Sequence, residues 1–319
     1  MPELPDVERA RRLLDARCVG RKITWVQAAD DHIVFGGRSS GDIERHLRGR
    51  AVVGSGRRGK QFWLALAGGR ALLLHFGMTG EIHVRGEATS HYRKIEAAVG
   101  DEWPPRYTKL ELRFGEDLAV AYTDPRRLGR IHAIDGDAAD SPQVAKLGFD
   151  PVLDPPTPAD FAQAVTRRRT PIKALLLNQA FSAGVGNWIA DEVLFQSGIH
   201  PEHVAAALSR DQTDTLLAQL KHVCTLAVDV NAESERFPRD WLFHYRWAKG
   251  KRATPLLPDG RQIAFVTVGG RTSAYVPNVQ ALPGAAAAET GDAEVDDAKP
   301  GDAGASDADA PPRRKRRRR

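Results

Sequence analysis

Over residues 109–114 apolar and charged side chains alternate strictly. Leu110, Leu112 and Phe114 face one way, Lys109, Glu111 and Arg113 the other. Successive side chains on a strand point to opposite faces, so this alternation predicts a strand with one face on a core. Ile82 and Val84 repeat it against His83 and Arg85. Phe62 to Leu66 and Ala71 to Leu74 are instead continuous apolar runs, which predict strands covered on both faces. Ahead of them, Pro5 and Asp6 open a helix with Val7, Ala10, Leu14 and Cys18 on one face and Gly20 beyond its end. Short strands separated by glycine-rich turns predict a β-sandwich over residues 1–134.

The period changes after a connection over residues 135–156, which holds Asp135-Gly136-Asp137, Pro142, Pro151, Pro155 and Pro156. Thr157, Pro158 and Asp160 supply an N-cap, a first-turn proline and a capping acid. Thr170-Pro171 starts a second helix through Ile172 to Leu177, Asn187 caps a third that Gly198 ends, and Ser209 opens a fourth. The fourth carries Leu216, Leu217, Leu220, Val223, Cys224 and Ala227 as its apolar stripe. This makes 157–250 a helical region. Over 251–282 a strand from Ile263 to Val268, the turn Gly269-Gly270 and a strand from Thr272 to Val276 predict a hairpin. The expected class is α+β.

Composition narrows the setting. The two cysteines, Cys18 and Cys224, are far apart, which argues for a reducing compartment and against a disulfide framework. No apolar run approaches the ~18 residues of a membrane span, and no charged-then-apolar start marks a secretory signal. Net charge is +5, consistent with a polyanionic partner. Residues 283–319 hold eight acidic and eight basic residues in segregated blocks and end Arg313-Arg314-Lys315-Arg316-Arg317-Arg318-Arg319. Such a tail cannot bury a core and is expected to be disordered. Its last seven residues read as a nuclear-import signal, a nucleic-acid arm or a solubilising end.

The most reactive feature stands at the start. Removal of Met1 before the small Pro2 leaves a terminal secondary amine. An α-amine titrates near pH ~8, so much of it is neutral at pH 7 and can attack an aldehyde carbon. Glu3 stands beside it, placed to move protons. The bland alternative is a loose terminus before an ordinary first helix.

The opening string Met1-Pro2-Glu3-Leu4-Pro5-Asp6-Val7-Glu8 resembles the signature of the formamidopyrimidine-DNA glycosylase / endonuclease VIII family of base-excision repair enzymes. Further blocks in the family's order carry the resemblance to about residue 282. Arg57-Arg58-Gly59-Lys60-Gln61-Phe62-Trp63 resembles its lysine segment, which implies that Lys60 contacts phosphate near the lesion and assists proton transfer. His75-Phe76-Gly77-Met78-Thr79-Gly80 and Thr123-Asp124-Pro125-Arg126-Arg127-Leu128-Gly129-Arg130 resemble its intercalating set. That implies that Met78, Arg126 and Leu128 fill the gap left by an everted nucleotide. Leu128 stands where many members carry phenylalanine. Arg167-Arg168-Arg169-Thr170-Pro171-Ile172-Lys173 implies phosphate binding, with Arg168 at its centre. Gly184-Val185-Gly186-Asn187-Trp188-Ile189-Ala190-Asp191-Glu192 looks like the helix–two-turn–helix motif, in which Asn187 contacts DNA. Its two glycines would let backbone approach a phosphate, and the helix N-terminus would offer free N–H groups to an anion.

Most bacterial relatives build the last region as a cysteine-rich zinc finger. Here the cysteines are absent, and Val268-Gly269-Gly270-Arg271-Thr272-Ser273-Ala274-Tyr275 resembles the zincless finger of plant- and fungal-type members. There Arg271 would bind phosphates at the lesion and assist the second elimination. Tyr107 stands where bacterial relatives carry a DNA-contacting histidine; a half-buried strand aromatic is the other reading. The resemblance implies a bifunctional DNA glycosylase and AP lyase with Pro2 as nucleophile and Glu3 moving protons. It implies no cofactor or metal, damaged double-stranded DNA as partner, no membrane, and a monomer. With a eukaryotic source the C-terminal basic run would place it in the nucleus; otherwise the cytoplasm or nucleoid is expected. An oxidised-pyrimidine glycosylase, a non-catalytic damage-binding protein and a general basic DNA-binding protein stay open as alternatives.

Overall fold

The computed structural model describes residues 2–87, 103–247, 249 and 255–282. The acidic-then-basic tail lies outside the described residues.

Helix α1 (Leu4–Cys18) opens the chain. Glu3 N donates to the Asp6 carboxylate at 2.9 Å, so Asp6 closes the first turn. Eight strands follow with one helix between them: β1 (Trp25–Ala28), α2 (Ser40–Leu47), β2 (Val52–Arg58), β3 (Gln61–Leu66), β4 (Arg70–His75), β5 (Glu81–Val84), β6 (Thr108–Phe114), β7 (Leu118–Thr123) and β8 (Arg130–Asp135). They form two four-stranded antiparallel sheets, ordered β1-β6-β7-β5 and β2-β3-β4-β8. Phe62, Leu64, Leu72, Leu74, Leu110, Leu112 and Val120 are buried in one apolar layer, joined by Val7 and Leu14 of α1. This is the expected sandwich.

Two expectations about strand faces are corrected. On β3 only Phe62, Leu64 and Leu66 are buried, in strict alternation, so the strand is covered on one face. β4 alone of that pair is covered on both faces, because Ala138 and Val144 lie over Ala71 and Leu73. On β6 the carboxylate of Glu111 is buried although it sits on the polar face. Trp103 Nε1 and Arg113 Nε donate to it at 2.9 and 2.8 Å.

The connection holds α3 (Pro142–Ala145), and the helical region α4 (Pro158–Thr166), α5 (Ile172–Leu177), α6 (Asn187–Gln196) and α7 (Arg210–Asp229). Thr157 accepts from Asp160 N and Ser209 from Gln212 N, each at 3.2 Å, as expected of N-caps. Phe161, Leu176, Ile189, Val193, Leu216 and Leu220 form a second core, and Leu4 belongs to it. Helix α1 therefore enters both cores, Leu4 at one and Val7, Leu14 and Cys18 at the other.

The hairpin consists of β9 (Ala264–Val268) and β10 (Arg271–Tyr275), with Val268 opposite Arg271. Gly269 and Gly270 have φ of 56° and 71°. Positive φ at both central residues is what a two-residue turn between twisted strands requires, and glycine supplies it without a steric cost.

Candidate active site and nucleic-acid interface

The first residues are docked against the start of α6. Leu4 N donates to Gly184 O at 3.1 Å. Glu3 is 2% exposed, and its carboxylate accepts from Trp188 N at 2.9 Å and Ile189 N at 3.2 Å. A carboxylate on those first-turn amides also meets the positive end of the helix dipole. The two glycines exist for this approach. A Cβ on Gly186 would stand 2.2 Å from Glu3 Cδ, and one on Gly184 would stand 2.8 Å from Leu4 Cβ. The reading of those glycines as room for a phosphate is thus corrected: the anion held at the start of α6 is Glu3 itself. Asn187 is likewise not the cap. Gly186 occupies that position and Asn187 is the first helical residue.

Lys60 joins this end. Gly59 has φ 55° and lies so close to Gly184 that a Cβ would meet Gly184 N at 2.7 Å. Lys60 Nζ donates to Val185 O at 3.0 Å. Burial pushes the Lys60 amine below its ordinary range; Glu3 opposes that shift and Arg271 adds to it. Burial pushes the Glu3 carboxyl up, against the pull of Lys60 and of the two backbone amides. Both shifts bring an acid and a base towards the neutral range where they exchange protons readily. Pro2 is half-buried beside them. Pro2 and Glu3, just ahead of α1, thus meet Lys60 of the β2–β3 turn at the start of α6, and the Arg271 charge of the hairpin acts on Lys60.

The hairpin is held by polar groups. Asn187 Nδ2 and Lys173 Nζ both donate to Thr272 O, at 3.0 and 3.2 Å. Lys173 also pairs with Asp191, which takes Arg246 Nε at 3.1 Å and Ala274 N at 3.1 Å. Lys173 and Asp191 are buried. Lys173 is therefore removed from the surface cation cluster that sequence suggested, because its charge is spent on Asp191. Arg167, Arg168 and Arg169 are exposed after the end of α4. Beyond the glycine turn Arg271 is exposed at the start of β10. Sequence reasoning missed Asp191 and Arg246. The available signal was a pair of acids, Asp191 and Glu192, within the buried apolar run of α6. Among the described residues no group of three or more His, Cys, Asp and Glu side chains could hold a metal ion.

A second set of side chains is grouped at the sandwich's turns. Met78 is half-buried in the turn after β4; Arg126 and Leu128 are exposed in the turn between β7 and β8. The two turns touch, since a Cβ on Gly77 would stand 2.4 Å from the Leu128 carbonyl. Tyr107 is 48% exposed with φ 65°, ahead of β6. The half-buried strand aromatic is thereby corrected. His75 pairs with Gln61 next to Lys60, and its Nδ1 accepts from Gly77 N at 3.1 Å. Burial, with Lys60 and Arg130 nearby, pushes its imidazole down to about 4, so it is neutral.

Three family profiles match along the chain. They are the formamidopyrimidine-DNA glycosylase N-terminal domain over residues 1–131, the H2TH domain of formamidopyrimidine-DNA glycosylase over 147–239, and the formamidopyrimidine-DNA glycosylase-like C-terminal domain over 241–277. A formamidopyrimidine-DNA glycosylase of Arabidopsis thaliana is 40% identical over 284 residues, covering 89% of this chain and 72% of the relative. The crystal structure of the Lactococcus lactis formamidopyrimidine-DNA glycosylase, non-covalently bound to DNA containing an AP site, superposes with a TM-score of 0.72 at 25% identity. It covers 88% of this chain and 99% of that one. The same bacterial protein in complex with DNA containing an oxidized pyrimidine gives 0.71 at 25% identity, covering 88% of this chain and all of that one. With its sandwich, its helical region and the Glu3–α6 junction, the chain belongs to the formamidopyrimidine-DNA glycosylase family, the DNA glycosylases of base-excision repair.

Proposed function

We propose that the chain removes formamidopyrimidine-type oxidised purines from duplex DNA and then cuts the strand, using the amine of Pro2. The observation that carries this reading is the placement of Glu3. It is buried on the α6 amides, coupled to Lys60, and one residue from Pro2. With Met1 removed, the Pro2 nitrogen uses its lone pair to form a bond to C1′ of the damaged nucleotide. The bond from C1′ to the base breaks, and the base leaves with its electron pair and takes up the proton that the Pro2 nitrogen gives up, which restores the nitrogen lone pair. Glu3 donates a proton to the ring oxygen as the C1′–O4′ bond opens, leaving an iminium between enzyme and sugar. That iminium is the electron sink for loss of a C2′ proton and expulsion of the 3′ phosphate. A second elimination expels the 5′ phosphate, so no cofactor enters the cycle.

Lys60 and Arg271 have the charge to hold the flanking phosphates. Met78, Arg126 and Leu128 would fill the vacated stack, while Tyr107, Arg168 and Asn187 would add contacts to the DNA. In this reading the chain acts as a monomer. Its terminal arginine run serves nuclear import or adds a DNA arm.

The test is a panel of duplexes carrying a formamidopyrimidine, an oxidised pyrimidine or an abasic site, incubated with and without borohydride. We expect scission and a covalent adduct, fastest on the formamidopyrimidine duplex. Faster cleavage of the oxidised pyrimidine would replace the substrate assignment, a reading that the Lactococcus complex with such DNA favours. Tight binding with no adduct on any duplex would leave a non-catalytic damage-binding protein.

A further inference from the structure

Four of the side chains assigned to DNA, Tyr107, Met78, Arg126 and Leu128, come from three separate segments. One buried residue, Asp124, joins all three, two through its carboxylate and the third through its backbone. Asp124 is 0% exposed. Its Oδ1 accepts from Thr79 Oγ1 at 2.7 Å, next to Met78, and from Arg126 N at 3.2 Å. Its Oδ2 accepts from Gly129 N at 2.7 Å, next to Leu128. Its own backbone N–H donates to Tyr107 O at 3.1 Å. Nothing else of the side chain is left to face DNA.

The turn between β7 and β8 has a second fastening. Arg127 adopts φ 56°, a region that side chains other than glycine seldom occupy. Its guanidinium points back to Asp31, with Nε and Nη2 each donating at 2.9 Å. Asp31 also takes Lys109 Nζ at 3.0 Å and Val34 N at 3.2 Å. Burial alone would raise the Asp31 carboxyl; Arg127 and Lys109 outweigh this and hold it well below the usual carboxylate range. Arg127, its own side chain 45% exposed, thus lies between Arg126 and Leu128 with its guanidinium bound to Asp31. In a turn of consecutive cations, the one with a buried carboxylate partner is the strut and its neighbours are the contacts.

We propose that Asp124 is the positioning residue of the stack-filling side chains, and that Arg127, through Asp31, is a strut rather than a DNA contact. The inference rests on the proposed function, because it assumes that Met78, Arg126 and Leu128 enter the duplex. A side chain that must enter a stack while a nucleotide leaves gains from being held in place beforehand. The two fastenings do this without touching DNA. Loss of either would slow insertion rather than prevent binding.

The experiment uses the full chain and a duplex with a tetrahydrofuran abasic analogue opposite 2-aminopurine, whose fluorescence rises as its stacking is lost. Stopped-flow traces are compared for wild type, Thr79→Val, Arg127→Ala and Asp124→Asn. Thr79→Val and Arg127→Ala alter partly exposed side chains and keep the test usable where Asp124→Asn fails to fold. Removing one hydrogen bond to a charged group is worth roughly a tenfold change. We expect the rate of the rise to fall by that factor while its amplitude per added protein is kept. Borohydride trapping on a single-stranded abasic oligonucleotide, which has no gap to fill, should stay within about twofold. An unchanged rate, with or without a reduced amplitude, would overturn the positioning role. So would an equal loss on single-stranded and duplex substrates. A wild-type chain that forms no adduct on any abasic DNA would overturn the enzymatic reading itself, and this control separates that failure from failure of the inference.

Discussion

The interior of the sandwich and the junction behind Lys60 are both closed to water, yet they cohere by opposite means. In the sandwich Phe62, Leu64, Leu72, Leu74 and Leu112 belong to one hydrophobic cluster. At the junction Arg57, whose side chain is 1% exposed, lies between Glu8 of α1 and Asp150 of the connection. Arg57 Nε donates to Glu8 at 2.9 Å and Nη1 to Gly59 O at 3.1 Å, while Gly59 N donates to Asp150 at 2.8 Å. Burial favours the neutral form of Glu8, but Arg11 and Arg57 outweigh it and hold its carboxyl below the ordinary range. Apolar contact is non-directional and tolerates small shifts. A buried ion pair is directional, and each charge depends on its partner. The molecule therefore uses apolar layers where it needs bulk cohesion and buried ions where it must aim the turn that presents Lys60.

The sharpest way to break this comparison is to remove one member of each region. Asp150→Ala takes one of its two carboxylates from buried Arg57, removes the acceptor of Gly59 N, and should cost about 3–5 kcal/mol of unfolding free energy in urea. Leu72→Ala should cost about 3 kcal/mol from lost burial and a cavity. Their effects on chemistry should differ. Per folded molecule, Leu72→Ala should trap abasic DNA at the wild-type rate, and Asp150→Ala should trap it more slowly because the Gly59–Lys60 turn has lost its anchor. Equal trapping rates would show that the ion lattice does no more than stabilise.

A smaller effect concerns Glu192, whose carboxylate accepts from Phe243 N at 2.7 Å and Gln196 Nε2 at 2.9 Å. Burial pushes its carboxyl up to about 7 despite those bonds. A folded-state value above the unfolded one means that the folded state holds the proton longer. Stability should therefore be highest below the ordinary carboxylate range and fall as pH rises towards 7. Glu192→Gln should flatten that slope in thermal melts between pH 5 and pH 7.5. A slope unchanged by the substitution would assign the titration elsewhere.

The smallest effect on stability belongs to Arg271, exposed beyond the glycine turn. Arg271→Ala should change stability by no more than about 0.5 kcal/mol. It should also weaken lesion-DNA binding and lower the salt dependence by about one unit of slope. Unchanged affinity at two salt concentrations would mean that the hairpin does not touch DNA.

What was legible in the chain was whatever depends on neighbours in sequence. The alternation through Lys109 to Phe114, the caps at Thr157 and Ser209 and the glycine turn of the hairpin each follow from a few adjacent residues. So did the grouping of Pro2 with Glu3. What failed depends on distant partners. Ala138 and Val144 decide that β4 rather than β3 is doubly covered, and they lie more than one element away. Lys173 read as a surface cation because Asp191, 18 residues on, is its partner only after folding. Gly184 and Gly186 were singled out correctly, but their cause is Leu4 and Glu3, which no local pattern connects to them.

The central claim is that Pro2, held beside a buried Glu3 at the start of α6, is the group that bonds to DNA. The most direct measurement is to trap the protein on an abasic duplex with borohydride, digest the adduct and locate the modified residue by mass spectrometry. The account predicts a protein lacking Met1, with the sugar attached to the nitrogen of Pro2, and a strongly reduced adduct for Pro2→Gly. A modification mapped to Lys60 or another lysine, at undiminished yield in Pro2→Gly, would contradict it.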